Sequence, residues 1–284
     1  MPWTTLIPPA ELAIHLGDPR WAVFDCRHQL QDKTYGPRVY AAGHIPGARF
    51  ADTDTDLSAP IRSDTGRHPL PEMDGFAAWL GKQGVGTGTQ VVAYDDQTGA
   101  FAARLWWMLR YLGHETVAVL DGGMARWNQE GRPVTPDLPR RVPTRFTARP
   151  NPAMLASLDL VAAMSQKGSG VLVDARGGER YRGEQEPIDP KAGHIPGAIN
   201  LPYGENVAPD GSFLAPDRLR QRFERSVGAD PAQSIHYCGS GVTACHNLLA
   251  MAVAGLPLGR LFVGSWSLWS KDPARPVALG PERG

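Results

Sequence analysis

Cysteine is scarce in this chain of 284 residues, which contains Cys26, Cys238 and Cys245 and no other cysteine. Three is an odd number and too few for a disulfide framework, and no C-x-x-C pair offers the spacing of a zinc site. The sequence therefore implies no metal, and none of its motifs implies an organic cofactor.

Long apolar runs are also missing. The most apolar stretch, LLAMAVAGLPLGRLF, is interrupted by Gly255 and Pro257, and it is too short to span a bilayer. The first residues, with Pro2, Pro8 and Pro9, lack the basic segment and apolar core of a signal peptide. We therefore expect a cytoplasmic protein without a membrane partner.

There is no excess of charge of either sign, because Lys+Arg and Asp+Glu both number 29. This balance gives no overall attraction to nucleic acid or to an anionic membrane. Hydrophobic residues make up 42% of the chain and charged residues 20%, which is typical of globular proteins. A chain of this length favours two domains over a single core.

An internal duplication supports two domains directly. The sequence AGHIPG occurs at 42–47 and again at 192–197, and each copy follows an apolar run closed by Asp-x-Arg, which ends at Arg27 or Arg176. Weaker pairs follow, such as TQVVAYDD with QSIHYCGS and VAVLDGGMARW with GRLFVGSWSLW. A six-residue identity at matching distance from a matching strand indicates two copies of one unit.

Strands and helices are predicted to alternate in both copies, which indicates an α/β fold with mainly parallel sheets flanked by helices. Apolar runs predict strands at 21–25, 91–94, 117–120, 171–174, 235–238 and 260–263. Helices are predicted at 8–17, 72–83, 100–112, 122–131, 155–167, 216–226 and 242–254. Six prolines between Pro133 and Pro152 predict an extended linker over 136–152, between domains at 1–135 and 153–284.

The loop that follows the predicted strand at 235–238 is the candidate functional site, since ligands of such sheets bind at the carboxyl ends of strands. An arbitrary cysteine is more often a buried small residue than a nucleophile, and Cys26 and Cys245 fit that interpretation. Cys238 differs, because Gly239 to Thr243 continue a strand poorly and precede a helix. Backbone N–H groups turned toward one centre there would stabilise a thiolate.

The first copy serves as an internal control for this loop. Where the second copy has Tyr237-Cys238, the first has Tyr94-Asp95, and the glycine loop is missing as well. We therefore expect the second domain to carry the chemistry. The first is expected to act as scaffold and to contribute to the cleft.

The duplicated G-H-I-P-G-A motif, the D-x-R strand ends, the single cysteine loop and the final Trp-bearing motif resemble the two-domain sulfurtransferases of the rhodanese superfamily, over roughly residues 5–275. The loop CGSGVTA at 238–244 looks like that of 3-mercaptopyruvate sulfurtransferases. Thiosulfate sulfurtransferases of the family typically carry bulky basic residues just after the cysteine, where this chain has Gly239 and Ser240.

The resemblance implies two tandem rhodanese-like domains and a role for each candidate residue. Cys238 would attack a small anionic sulfur donor, become a persulfide and pass the sulfur to a thiol, thioredoxin or cyanide. Ser240, His68 and Asp54 would form a proton-transferring triad, and Arg180 would bind the donor's anionic group. The remaining loop residues are expected to surround the substrate, namely Gly239, Gly241, Val242 and Thr243.

One departure from the family pattern concerns the donor. Mercaptopyruvate enzymes often have a second arginine just after the Glu-Pro of the segment DARGGERYRGEQEP, whereas this chain continues with Ile188 and Asp189. The second clamp on the donor carboxylate is therefore absent or replaced from elsewhere. 3-Mercaptopyruvate is the favoured donor and thiosulfate is the alternative.

Two other classes of protein compete with a sulfurtransferase. Cysteine phosphatases use a C-x5-R loop, but the fifth residue after Cys238, Thr243, is followed by Ala244 and not by arginine. Without that cation a phosphate dianion would lack its main clamp. A non-catalytic rhodanese-like binding module is disfavoured because the cysteine loop is intact.

Overall fold

The computed structural model describes residues 1–140, 142–228 and 230–284, which form two α/β units. Unit 1 comprises Met1–Ala59, Leu70–Asn151 and Val207–Phe213. Unit 2 comprises Pro60–Pro69, Pro152–Asn206 and Leu214–Gly284. Each unit is built on its own parallel sheet, as the alternation of strands and helices predicts.

The sheet of unit 1 has five parallel strands in the order β1-β5-β4-β2-β3. They are β1 (Leu6–Ile7), β2 (Trp21–Asp25), β3 (Arg49–Phe50), β4 (Gln90–Tyr94) and β5 (Val117–Leu120). Its helices are α1 (Pro9–Ile14), α2 (Tyr35–Ala42), α3 (Met73–Lys82), α4 (Ala102–Tyr111) and α5 (Gly123–Gln129). β4 is buried along its whole length, which explains its continuous apolar run.

The sheet of unit 2 has four parallel strands in the order β7-β6-β8-β9. They are β6 (Leu172–Asp174), β7 (Ala198–Asn200), β8 (Ile235–Tyr237) and β9 (Arg260–Leu261). The α-helices are α6 (Leu158–Lys167), α7 (Gly178–Arg182), α8 (Pro216–Val227), α9 (Ala244–Val253) and α10 (Ser265–Trp269). β8 lies between β6 and β9, so the segment after it leaves from an interior strand.

Helix α8 shows why the spacing of apolar residues predicts helices well at the surface of the unit. Its buried residues are Leu219, Phe223 and Val227, each four positions apart, while charged residues fill most of the other positions. α9 is different, because its residues from Ala244 to Met251 are all buried. A helix that is buried on every side lies in the interior of its unit, here next to the candidate loop.

The aspartate and the arginine of each Asp-x-Arg strand end form an ion pair. Nη2 of Arg27 lies 2.6 Å from Oδ2 of Asp25, and Nη2 of Arg176 lies 2.6 Å from Oδ2 of Asp174. All four side chains are buried. These arginines therefore stabilise their own strand ends.

The observed units differ from the predicted contiguous domains in three segments. One of them, Val207–Phe213, lies within the predicted second domain but belongs to unit 1. Pro60–Pro69 belongs to unit 2, where Nζ of Lys271 donates to the carbonyl oxygens of Arg62, Ser63 and Thr65 at 3.1 to 3.3 Å. The proline-rich segment predicted as a linker belongs to unit 1 as far as Asn151, and the backbone N of that residue donates to Tyr111 O. These hydrogen bonds hold the two segments on their units.

Among the described residues, no helix combines the length and apolarity needed to cross a bilayer.

The buried His236 on β8 makes the stability of unit 2 sensitive to acid. Burial lowers the pKa of His236 from 6.5 to about 3, so the ring stays neutral in the folded protein while it becomes protonated in the unfolded chain. Folding stability is therefore complete above pH 6.5 and falls as the pH drops toward 3. At pH 5 the expected loss from this one group is about 2 kcal/mol.

Urea unfolding of the wild type and of His236→Gln at pH 7.5 and pH 5 tests this prediction. The wild type should lose about 2 kcal/mol more than the variant on acidification, since the variant has no ring to protonate. Equal losses for the two proteins would contradict it.

Candidate active site

Cys238 is the first residue after β8, and five residues separate it from α9. This places it at the carboxyl end of an interior strand, as the sequence predicts. The thiol is almost completely buried, with 2% of the residue exposed. The backbone N of Gly241 donates to its sulfur at 3.2 Å, which is the interaction that stabilises a thiolate.

The backbone of the cysteine loop is held by the segment after β9. The N of Cys238 donates to Oγ of Ser265 at 3.1 Å, and Ser265 adopts a positive φ of 52°. In return, the carbonyl oxygens of Cys238 and Gly239 each accept from a backbone N at 2.9 Å, from Trp266 and Ser267 respectively. Three groups of one neighbouring segment therefore hold the loop by hydrogen bonds, so its conformation does not depend on its own sequence alone.

Gly241 occupies a position that requires glycine. Its φ is 79°, and a Cβ built on it would lie 2.5 Å from the carbonyl oxygen of Val263. The next residues begin α9, where the N of Cys245 donates to Val242 O and the N of His246 donates to Thr243 O. The turn at Gly241 therefore directs the loop from the strand into the helix.

Two of the predicted triad residues meet in unit 2. Nδ1 of His68 lies 2.7 Å from Oγ of Ser240, and both residues are 5% exposed. His68 reaches this position because Pro60–Pro69 belongs to unit 2. A buried histidine hydrogen-bonded to a hydroxyl two residues after Cys238 is suited to moving a proton near the thiol.

Asp54, the third predicted member, belongs to unit 1. There one carboxylate oxygen lies 3.6 Å from Nζ of Lys33, and the backbone N of Asp54 donates to Asp52. Its role in a triad stays a prediction.

Arg180, the predicted anion-binding residue, lies in a cluster of charges on unit 2. Its Nη2 lies 2.7 Å from Glu186 and 3.0 Å from Asp189. Arg67 forms a second ion pair with Asp189, from the side of the 60–69 segment. Burial raises the pKa of the Asp189 carboxyl, and the two guanidinium groups oppose that shift. The two arginines are thus held close together by one buried carboxylate.

The guanidinium groups of Arg67 and Arg180 are both next to the cysteine loop. A Cβ built on Gly239 would lie 2.8 Å from Nη2 of Arg67 and 3.4 Å from Nη1 of Arg180. Sequence reasoning identified Arg180 and missed Arg67, although Arg67 directly precedes a predicted site residue. It also missed Ser265, whose hydroxyl holds the loop and whose positive φ gives no signal in the sequence.

The equivalent loop of unit 1 shows what this backbone does without a cysteine. Asp95 follows β4 as Cys238 follows β8, and it is fully buried. Its carboxylate accepts backbone N–H bonds at 2.8 to 2.9 Å from Gln97, Gly99, Phe101 and Ala102. Burial raises the pKa of this carboxyl, while these N–H groups oppose the shift. The loop after an interior strand therefore surrounds an acidic side chain in unit 1 and a thiol in unit 2.

Comparisons with known proteins agree with this architecture. The family model described as a rhodanese-like domain matches residues 8–130 and 157–272, one stretch in each half of the chain. A probable 3-mercaptopyruvate sulfurtransferase of Pseudomonas aeruginosa is 48% identical over 97% of this chain and 98% of its own length. A putative thiosulfate sulfurtransferase of Mycobacterium tuberculosis, SseB, is 40% identical over 97% of each protein.

A solved structure is similar as well. SseA from Escherichia coli, a 3-mercaptopyruvate sulfotransferase with the rhodanese fold, superposes with a TM-score of 0.79 at 32% identity. The match covers 93% of this chain and 100% of SseA. The two repeats, their parallel sheets, the cysteine loop and these matches together show that the chain belongs to the rhodanese-like sulfurtransferases.

Proposed function

We propose that this enzyme transfers sulfur from 3-mercaptopyruvate, through a persulfide on Cys238, to a thiol, thioredoxin or cyanide. The observation that carries the proposal is the loop itself. In it, the Cys238 sulfur accepts a hydrogen bond from the Gly241 N–H at 3.2 Å. Ser240, two residues after Cys238, is hydrogen-bonded to His68 at 2.7 Å. The nucleophile thus lies two residues from a hydroxyl that is paired with a histidine of the 60–69 segment.

The reaction balances without a cofactor. The Cys238 thiolate attacks the donor sulfur, an S–S bond forms, and the C–S bond breaks with its electron pair moving to carbon. Ser240 and His68 relay the proton of the donor thiol to that carbon, so the products are pyruvate and the Cys238 persulfide anion. The thiolate or cyanide acceptor then takes the outer sulfur, and Cys238 leaves as a thiolate.

The charges around the loop favour a monoanionic donor. Three arginines and three acidic residues of unit 2 form one connected cluster, so the cluster has no net charge. Its members are Arg67, Arg176, Arg180, Asp174, Glu186 and Asp189. A neutral cluster accommodates the single carboxylate of 3-mercaptopyruvate with less repulsion than the two charges of thiosulfate. Thiosulfate remains the alternative donor, as in the name of the M. tuberculosis relative.

The donor and the proton relay are tested together by Ser240→Ala and His68→Ala. With 3-mercaptopyruvate both variants should lose about a hundredfold or more in kcat/KM, because protonation of carbon loses its relay. With thiosulfate both should stay within a few-fold of wild type, since sulfite leaves as an anion that needs no proton.

Ser226→Ala, in α8 and outside the cysteine loop, is the matched control for the loss of a serine hydroxyl. It should behave as wild type with either donor. A wild-type enzyme that prefers thiosulfate, together with variants that are unaffected with both donors, would overturn the donor and the relay at once.

A further inference from the structure

Arg67 is the cation nearest to the residue that follows Cys238. Its Nη2 would lie 2.8 Å from a Cβ on Gly239, closer than the 3.4 Å of Arg180 Nη1. Because Gly239 has no side chain, both guanidinium groups can approach the loop here without contact with a Cβ. Two cations therefore flank the position next to the nucleophile.

The backbone holds Arg67 in register with the cysteine loop. Its N donates to Oγ of Ser267 at 3.1 Å, and the N of Ser267 donates to Gly239 O at 2.9 Å. The following residue, His68, meets Ser240. Two consecutive residues of the 60–69 segment thus face two consecutive residues of the loop.

Asp189 keeps the two guanidinium groups side by side. One of its oxygens pairs with Arg67 Nη1, and the other lies 3.0 Å from Arg180 Nη2. The acid is 2% exposed, whereas the side chains of Arg67 and Arg180 are 23% and 21% exposed. A buried carboxylate therefore offsets the repulsion between two cations that remain partly accessible to a ligand.

We propose that Arg67 is the second anion-binding residue of the donor site, and that it grips the donor carboxylate together with Arg180. This inference rests on the proposed function. Arg67 takes the place of the arginine that mercaptopyruvate enzymes often carry at the positions of Ile188 and Asp189 here. Asp189 is the positioning residue that fixes the distance between the two guanidinium groups.

Kinetics of Arg67→Gln, Arg67→Lys and Arg62→Gln test the proposal. Arg67→Gln should raise KM for 3-mercaptopyruvate by about ten- to a hundredfold, the loss expected for one hydrogen bond to a charged group, and change kcat only a few-fold. Arg67→Lys should recover part of the KM. Arg62, exposed in the same segment and paired with Asp64, is the matched control for the loss of one charge and should leave both constants unchanged.

Alkylation of Cys238 separates this proposal from the donor assignment, because it requires no sulfur transfer. The ratio of the rates with iodoacetate and iodoacetamide reports how strongly the site attracts a carboxylate. That ratio should fall about tenfold or more in Arg67→Gln and stay unchanged in Arg62→Gln. A fall in the ratio supports Arg67 as an anion-binding residue even if 3-mercaptopyruvate proves to be a poor donor. An unchanged ratio and an unchanged KM in Arg67→Gln would overturn the proposal whatever the donor is.

Discussion

Cys238→Ser is expected to abolish sulfur transfer from both donors. A serine hydroxyl in this loop has no sulfur to extend into a persulfide, and it is a far weaker nucleophile than a thiolate that accepts the Gly241 N–H. Mass spectrometry of the wild type after donor treatment should show the chain one sulfur atom heavier, with the extra sulfur on Cys238. The variant should show no added sulfur and no pyruvate formation above background.

The other two cysteines supply matched controls. Burial raises the pKa of the Cys26 thiol well above its usual value, so that thiol stays protonated in unit 1. Cys245 lies on α9, where its sulfur donates to Gly241 O at 3.5 Å. Cys26→Ser and Cys245→Ser should therefore keep sulfur transfer and persulfide formation. Full activity in Cys238→Ser would refute the assignment of the nucleophile.

Asp95 gives a physical reason why the two halves of the chain differ. Four backbone N–H groups surround its carboxylate, so the loop of unit 1 still provides an environment for an anion. A carboxylate cannot carry a sulfane sulfur, however, and no glycine loop like that of Cys238 follows it. The duplication kept an anion-binding loop in both copies and a nucleophile in one.

Much of the fold could be predicted because its longer elements bury a regular pattern of apolar residues. The helix predicted at 216–226 is Pro216–Val227 in the structure, and the strand predicted at 21–25 is Trp21–Asp25. Helix Tyr35–Ala42 was missed, since it contains Gly36 and Pro37 near its start and buries few residues. The strand Arg49–Phe50 was missed because two residues carry no periodicity, and pairing with β2 alone defines it.

The candidate site likewise contains residues that could be predicted from the local sequence and others that could not. Cys238 and its glycines could be identified because the strand, loop and helix are contiguous in sequence. The pairing of His68 with Ser240 joins residues 172 positions apart, and it was reached through family resemblance and not through the pattern of residues. Arg67 and Asp189 are 122 positions apart, and no local rule connects them. Their ion pair follows from the placement of the 60–69 segment on unit 2, which is a tertiary property.

Gly241→Ala is expected to remove most of the activity without removing a single functional group. At a φ of 79° an alanine is strained by about 1–3 kcal/mol, and its Cβ would lie 2.5 Å from the backbone oxygen of Val263. Because neither backbone segment can yield easily, the loop must shift and carry the Gly241 N–H away from the Cys238 sulfur. A displacement of about 1 Å at a reacting group can cost a hundredfold in rate, so single-turnover persulfide formation should slow by about that factor.

Gly197→Ala separates the effect of the collision from that of the backbone conformation. Gly197 lies in the second AGHIPG motif of unit 2 at a φ of 86°, and nothing lies within 4 Å of a Cβ built on it. This control variant should suffer similar strain, seen as a lower Tm, yet form the persulfide within a few-fold of the wild-type rate. If Gly241→Ala lost only stability, as the control does, then the N–H of that residue would have no part in activating Cys238. A slow Gly241→Ala beside a fast Gly197→Ala would instead place the activation of the thiol in the geometry of the loop backbone.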